Sequence, residues 1–156
     1  MSQKPKSFPP MQPLPTSLRF LRSLPLPHKL GLLERIFGKS LSQYGVCFVE
    51  VYNGIYWQLD LTDSCQRWII YGDYEGSNQM AWLKGWLSKG GNVVDSGANI
   101  GQMLLNLAPL RNVSIFAFEP LPFAADWLDR CLVNYPEWGV EVVRLGLSDH
   151  HGEISV

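Results

Sequence analysis

Gly91-Asn92-Val93-Val94-Asp95-Ser96-Gly97-Ala98-Asn99-Ile100-Gly101 is the stretch that decides the fold. It reads as a short buried strand at Val93-Val94, an acid at the strand's carboxyl end, a glycine turn and the start of a helix. A parallel strand turning tightly into a helix puts the helix N-terminus at the edge of the sheet, where ligands of such folds bind. Free backbone N–H groups and the helix dipole would favour an acidic group there. Gly97 can take backbone angles closed to other residues, and Gly101 lets helix and strand approach without a Cβ between them. Asp95 argues against a pyrophosphate, which it would repel, and for a ligand that brings an ammonium group. The spacing D-x-G-x-x-x-G therefore favours S-adenosylmethionine over a dinucleotide.

The following segments repeat the pattern. Asn99 can cap a helix through Ile100–Ala108, which Pro109 closes. Val113–Phe118 reads as a second buried strand ending at Glu119-Pro120, and Pro122 can start a helix over Phe123–Asn134. Val140–Leu145 is a third strand, followed by Gly146-Leu147-Ser148-Asp149. Strand, helix, strand, helix, strand at short loop lengths is how a parallel, doubly wound α/β sheet is written. Right-handed crossovers then bring all three strand ends to one edge. Three acids fall there: Asp95, Glu119 and Asp149. Glu119 follows Asp95 by 24 residues, near the interval at which a Rossmann-type site places a carboxylate on the ribose hydroxyls. Asp149 could accept from the exocyclic amine of adenine, although Ser148-Asp149-His150 is also an ordinary turn.

In order and spacing, Val93–Gly101 (VVDSGANIG), Phe118-Glu119-Pro120 and Leu147-Ser148-Asp149 resemble the FkbM family of S-adenosylmethionine-dependent methyltransferases. Leu59–Glu75 (LDLTDSCQRWIIYGDYE) resembles the stretch leading into that family's catalytic domain, and the resemblance covers about residues 45–156. It implies a Rossmann-like class I methyltransferase fold. Asp95, Gly97 and Gly101 would lie at the methionine end of the cofactor and Glu119 at the ribose, and Asn99 and Asp149 are expected among the cofactor-binding residues as well. It also implies methyl transfer to an oxygen of a small molecule or sugar. Leu121-Pro122-Phe123 departs from the family, which commonly has a polar residue near that proline. The family's sheet has seven strands and this sequence closes its third loop at Gly152–Val156, so the chain is expected to be the N-terminal part of the domain. The strand carrying Asp95 would then be left open to self-association on one side.

Upstream, residues 1–27 form a proline-rich basic leader, expected to be loose and partly polyproline II-like, with one helical turn at Ser17–Leu24. Residues 28–90 hold a lead-in: an amphipathic helix over Lys29–Ser42 with Leu30, Leu33, Phe37 and Leu41 inward, expected to pack on the domain rather than on a membrane. Val46–Tyr52 and Ile55–Leu61, joined by Asn53-Gly54, read as a hairpin, and Arg67–Tyr71 as a third strand. Ser77 can cap a helix to about Leu87 with Met80, Leu83, Trp86 and Leu87 inward. Residues 91–156 are the cofactor-binding part.

With 156 residues, 46% hydrophobic and 17% charged, the composition is that of a globular chain able to bury a core. The net charge of −1 gives no general pull toward nucleic acid, and none is expected as a partner. The charge is uneven. Seven Lys/Arg and the single acid Glu34 lie in residues 1–40, leaving six Lys/Arg against thirteen acids in the remainder. Cys47, Cys65 and Cys131 lack metal-ligand spacing and read as small buried hydrophobes in a reducing compartment, here the cytoplasm. No run approaches the roughly 18 apolar residues of a membrane span. No residue stands out as catalytic, since His150 and His151 fall in a polar turn. Two other readings remain. A NAD- or flavin-binding domain would want G-x-G-x-x-G, but Asp95 precedes the turn and Asn99 stands at the middle glycine. A non-catalytic remnant or interaction module would account for the basic leader and the missing acceptor half.

Overall fold

The computed structural model describes residues 11–52, 54–72, 77–150 and 152. The chain divides into two compact units, Met1–Asp73 and Tyr74–Val156. The helix after Ser77 falls in the second unit.

In the first unit, β1 (Met11–Gln12) pairs parallel with β2 (Val46–Tyr52), and β2 pairs antiparallel with β3 (Ile55–Asp60). The hairpin is as read from the sequence; Asn53 of its turn lies outside the described residues. Cys47, Phe48 and Val49 are buried in succession, so β2 is covered on both faces, unlike a strand with one wet face. Helices α1 (Thr16–Ser23), α2 (Lys29–Leu41) and α3 (Ser64–Tyr71) complete the unit. The leader is thus built in from Met11 onward, with Leu14 and Leu18 in the core.

Arg67–Tyr71, expected as a strand, belongs to α3. Its β-rich composition is overridden by its ends: Asp63 accepts the Cys65 N–H at 2.8 Å as N-cap, and Gly72 closes the helix at φ 83°. Cys47 and Cys131 are buried as expected, but Cys65, in the first turn of α3, is exposed.

Helicity turns Arg67 inward, where its guanidinium binds the Glu34 carboxylate through Nε and Nη2 and the Leu61 and Thr62 carbonyls through Nη1. The Tyr71 hydroxyl donates to the same carboxylate at 3.0 Å. The Arg67 hydrogen bond holds the Glu34 carboxyl below its usual pKa, while burial pushes the Tyr71 hydroxyl up. The one acid of the basic arm is therefore used inside the unit.

This fixed carboxylate constrains α2. A Cβ on Gly38 would lie 2.5 Å from Glu34 Oε1, whereas one on Gly31 would meet nothing within 4 Å. Glycine-to-alanine exchange inside a helix normally stabilises by roughly 0.5–1 kcal/mol. We expect that gain for Gly31→Ala and the opposite sign for Gly38→Ala, a loss of about 1–3 kcal/mol as the carboxylate is pushed off Arg67. Urea midpoints of the two variants check the pair.

In the second unit, α4 (Asn78–Trp86) is capped by Ser77, whose hydroxyl accepts the Met80 N–H at 3.1 Å, as its sequence predicts. Met80 and Leu87 face inward, but Trp86 is 68% exposed. At about 100° per residue it lies well off the Leu87 direction. Strands β4 (Gly91–Ser96), β5 (Val113–Phe118) and β6 (Gly139–Val143) form a parallel sheet in sequence order. The connections carry α5 (Leu104–Leu107) and α6 (Pro122–Leu132). This is the expected α/β architecture. Val113, Ile115 and Ala117 of β5 are buried, whereas Ser114 and Phe116 between them are exposed. Successive crossovers of one hand cover the same face. β4 is an edge strand of this sheet, with Val94 59% exposed.

Candidate functional site

Parallel pairing aligns Asp95 with Ala117 and Ser96 with Phe118, so the carboxyl ends of β4 and β5 stop side by side. Asp95, residues 97–101 and Glu119 are thereby gathered at one edge, where the sequence places them. The β4–α5 loop is shaped by three residues in the left-handed region: Gly97 at φ 79°, Asn99 at 48° and Gly101 at 90°. Glycine takes such angles without penalty, and asparagine tolerates them better than other side chains.

The expected helix over Ile100–Ala108 is α-helical only at Leu104–Leu107. Asn99 is not its cap: left-handed angles at positions 99 and 101 postpone the helix. Nor are the loop's N–H groups free for an anion. Gly97 and Ala98 both donate to the Phe118 carbonyl at 2.9 and 3.0 Å, and Gly101 donates to Ala98 at 2.9 Å. Asn99 donates to Glu119 Oε2 at 2.8 Å. A loop so satisfied makes a poor phosphate cradle.

Glu119 is only 4% exposed, and its other oxygen, Oε1, accepts the Leu121 N–H at 2.9 Å. Its own N–H donates to Val143 at 3.0 Å. Glu119 thus ties together the ends of all three strands: the loop after β4, its own turn after β5, and β6. A carboxylate offers about four acceptor positions, so two remain beyond these bonds.

Asp95 is placed differently. Its Oδ2 is buried and has no hydrogen-bond partner among the described residues. Burial first, and then the charge of Glu119, raise its pKa above the usual carboxylate range. Asp95 is the one charged residue lining a cavity of about 150 Å³ otherwise walled by aliphatic and methionine side chains, among them Leu83, Val93, Met103 and Leu107. An unmatched carboxylate on an apolar cavity is complementary to an aliphatic ammonium group. Beside it, a Cβ on Gly97 would meet nothing within 4 Å.

Asp149 is not drawn into this cluster. It lies six residues past β6, its side chain 94% exposed, with Oδ1 2.6 Å from His150 Nδ1. That hydrogen bond holds its carboxyl below the usual pKa. His150 is likewise at the surface, and His151 lies outside the described residues. Sequence reasoning missed the apolar side chains around Glu119. Leu121 and Phe123 follow it and Leu145 and Leu147 follow β6, exposed by 43%, 67%, 62% and 53%. The two loops run together, since a Cβ on Gly146 would lie 3.7 Å from Pro120. Their signal was the run of apolar residues where strand-end loops are normally polar. The double acceptor role of Phe118 left no signal, because it is a main-chain carbonyl.

No family model and no curated protein matches the chain. Among solved structures it is similar to Pyrococcus horikoshii TYW2 in complex with MeSAdo, at 19% identity over 90% of this chain and 54% of that one, with a TM-score of 0.45. A candidate transferase from the same organism aligns at 17% identity over 87% and 52%, with a TM-score of 0.41. A candidate rRNA methylase from Clostridium thermocellum aligns at 21% identity over 45% and 41%, with a TM-score of 0.36. The chain spans about half the length of these structures.

Proposed function

We propose that this chain is the cofactor-binding part of an S-adenosylmethionine-dependent methyltransferase of the FkbM type. The observation that carries the proposal is the buried, unpartnered Oδ2 of Asp95, a residue that lines an apolar cavity and stands two residues before Gly97. The aminocarboxylate end of the cofactor brings what that oxygen lacks, an ammonium donor on an aliphatic chain. When bound, S-adenosylmethionine supplies a methyl group on a positively charged sulfur. Asp95 holds the ammonium, and the open space at Gly97 leaves room for the chain that follows it. Glu119 turns its remaining acceptor positions toward the ribose hydroxyls, held in place by Asn99 and Leu121. Leu121, Phe123, Leu145 and Leu147 offer an apolar wall to the adenine ring.

The acceptor in this reading is a hydroxyl of a small molecule or glycan, and the base that removes its proton is not among the residues singled out above. Cys47, Cys65 and Cys131 form no disulfide among the described residues, which suits a reducing, cytoplasmic setting. The test is a calorimetric titration with S-adenosylhomocysteine and with NAD. Binding of the first alone supports the proposal; binding of NAD in preference overturns it. A transfer assay then follows, and because one similar structure is a candidate rRNA methylase, RNA belongs among the acceptors offered.

A further inference from the structure

The inward face of α2 carries the buried Leu33, Gly38 and Leu41 and the half-buried Leu30 and Phe37, with Glu34 turned to Arg67 and Tyr71. Two aliphatic side chains are left over. Leu32 and Ile36 are 42% and 53% exposed, on the side of the helix away from the core. Arg35 and Lys39 are exposed there too. Spacings of three, four and seven residues place Leu32, Arg35, Ile36 and Lys39 on one helical stripe. Among the described residues no ion pair involves Arg35 or Lys39. Glu34, the only acid on α1 or α2, lies on the far side of α2 with Arg67. The ten residues at the start of the chain add Lys4 and Lys6 and no acid.

We infer that this stripe of α2 docks on an anionic membrane surface. A short helix with apolar side chains set among cations lies in the plane of the headgroups. Its aliphatic side chains dip below them while Lys and Arg reach the lipid phosphates. The stripe has both parts of that pattern, and an acid that would oppose it is bound elsewhere. No helix among the described residues is long and apolar enough to cross a membrane, so the contact is peripheral. Two apolar and two basic residues make it weak and reversible.

The experiment is co-sedimentation of the whole chain with vesicles of phosphatidylcholine alone, or with about 30% phosphatidylserine added. The protein is expected to sediment with the anionic vesicles only. Binding should fall about tenfold when ionic strength rises from about 0.05 to about 0.5 M. Arg35→Glu with Lys39→Glu should lower binding at least about tenfold, and Leu32→Ser with Ile36→Ser by a similar factor. Lys89→Glu with Arg111→Glu makes the same charge change at exposed positions of the other unit and should leave binding within about twofold. Equal sedimentation with both vesicle types, none with either at low salt, or an equal loss in the control pair overturns the inference. Unfolding midpoints of the variants should match that of the parent. A lowered midpoint would show that the stripe packs within the protein, which overturns it as well.

Discussion

Glu119→Ala is expected to destabilise the second unit by roughly 2–5 kcal/mol, a large share of the 5–15 kcal/mol that holds a typical domain. The carboxylate is buried and accepts the N–H groups of Asn99 and Leu121, so alanine leaves two main-chain donors without acceptors. Each such donor costs about 1–3 kcal/mol when it stays away from water. Glu119→Gln keeps one accepting oxygen and turns an amide N–H₂ toward the other donor, so it should fall in between. Urea unfolding without any ligand reads both variants. A Glu119→Ala midpoint equal to the parent's would mean that the two bonds do not hold the loop. With the alanine variant destabilised as expected, any ribose contact is measured on the glutamine variant, where loss of affinity is not confused with loss of the loop.

Asp95→Asn should act in the opposite sense on stability and strongly on binding. Burial and the neighbouring charge of Glu119 raise the Asp95 pKa in the folded protein. Between the ordinary carboxylate pKa and that raised value the folded state holds more proton than the unfolded one, so stability falls as pH rises through this window. Above it, folding carries the full penalty of a buried, unpartnered charge. Asparagine removes the charge, so at neutral pH the variant should be at least as stable as the parent. Its stability should also lack that decline. The same exchange removes the partner of an ammonium group. Affinity for S-adenosylhomocysteine should fall by about 2–3 kcal/mol, roughly 30- to 150-fold. Unfolding midpoints across pH and a titration at neutral pH check the two halves. An Asp95→Asn protein less stable than its parent would mean that Asp95 caps structure rather than waiting for a ligand.

Apart from β1, whose Met11-Gln12 carries no strand signal, the strands of both units could be read from the sequence because each is built on a short β-branched or aromatic run bounded by turn residues. Val113–Phe118 begins and ends where the run does. Arg67–Tyr71 misled because Trp68, Ile69 and Ile70 favour strands, while the decisive signals, Asp63 and Gly72, stand just outside the run. The partner of Arg67 is 33 residues away in sequence, and no local pattern reveals it. At the site, the acids and glycines were legible because turn and strand-end positions restrict residue type. Their electrostatic difference was not. Asp95 and Glu119 look alike in sequence, and only parallel pairing gives one carboxylate two main-chain donors and leaves the other an unmatched oxygen. The self-satisfied turn was hidden for the same reason, since its acceptor is the Phe118 carbonyl.

The central claim is that Asp95 receives the ammonium group of an aminocarboxylate cofactor. Its most direct test is a paired titration with S-adenosylhomocysteine and with 5′-methylthioadenosine, which keeps the adenosine and loses the ammonium and carboxylate. The parent protein should bind the first more tightly, and Asp95→Asn should remove most of the difference by weakening the first alone. Equal affinities in the parent, or a difference that survives in Asp95→Asn, would contradict the account.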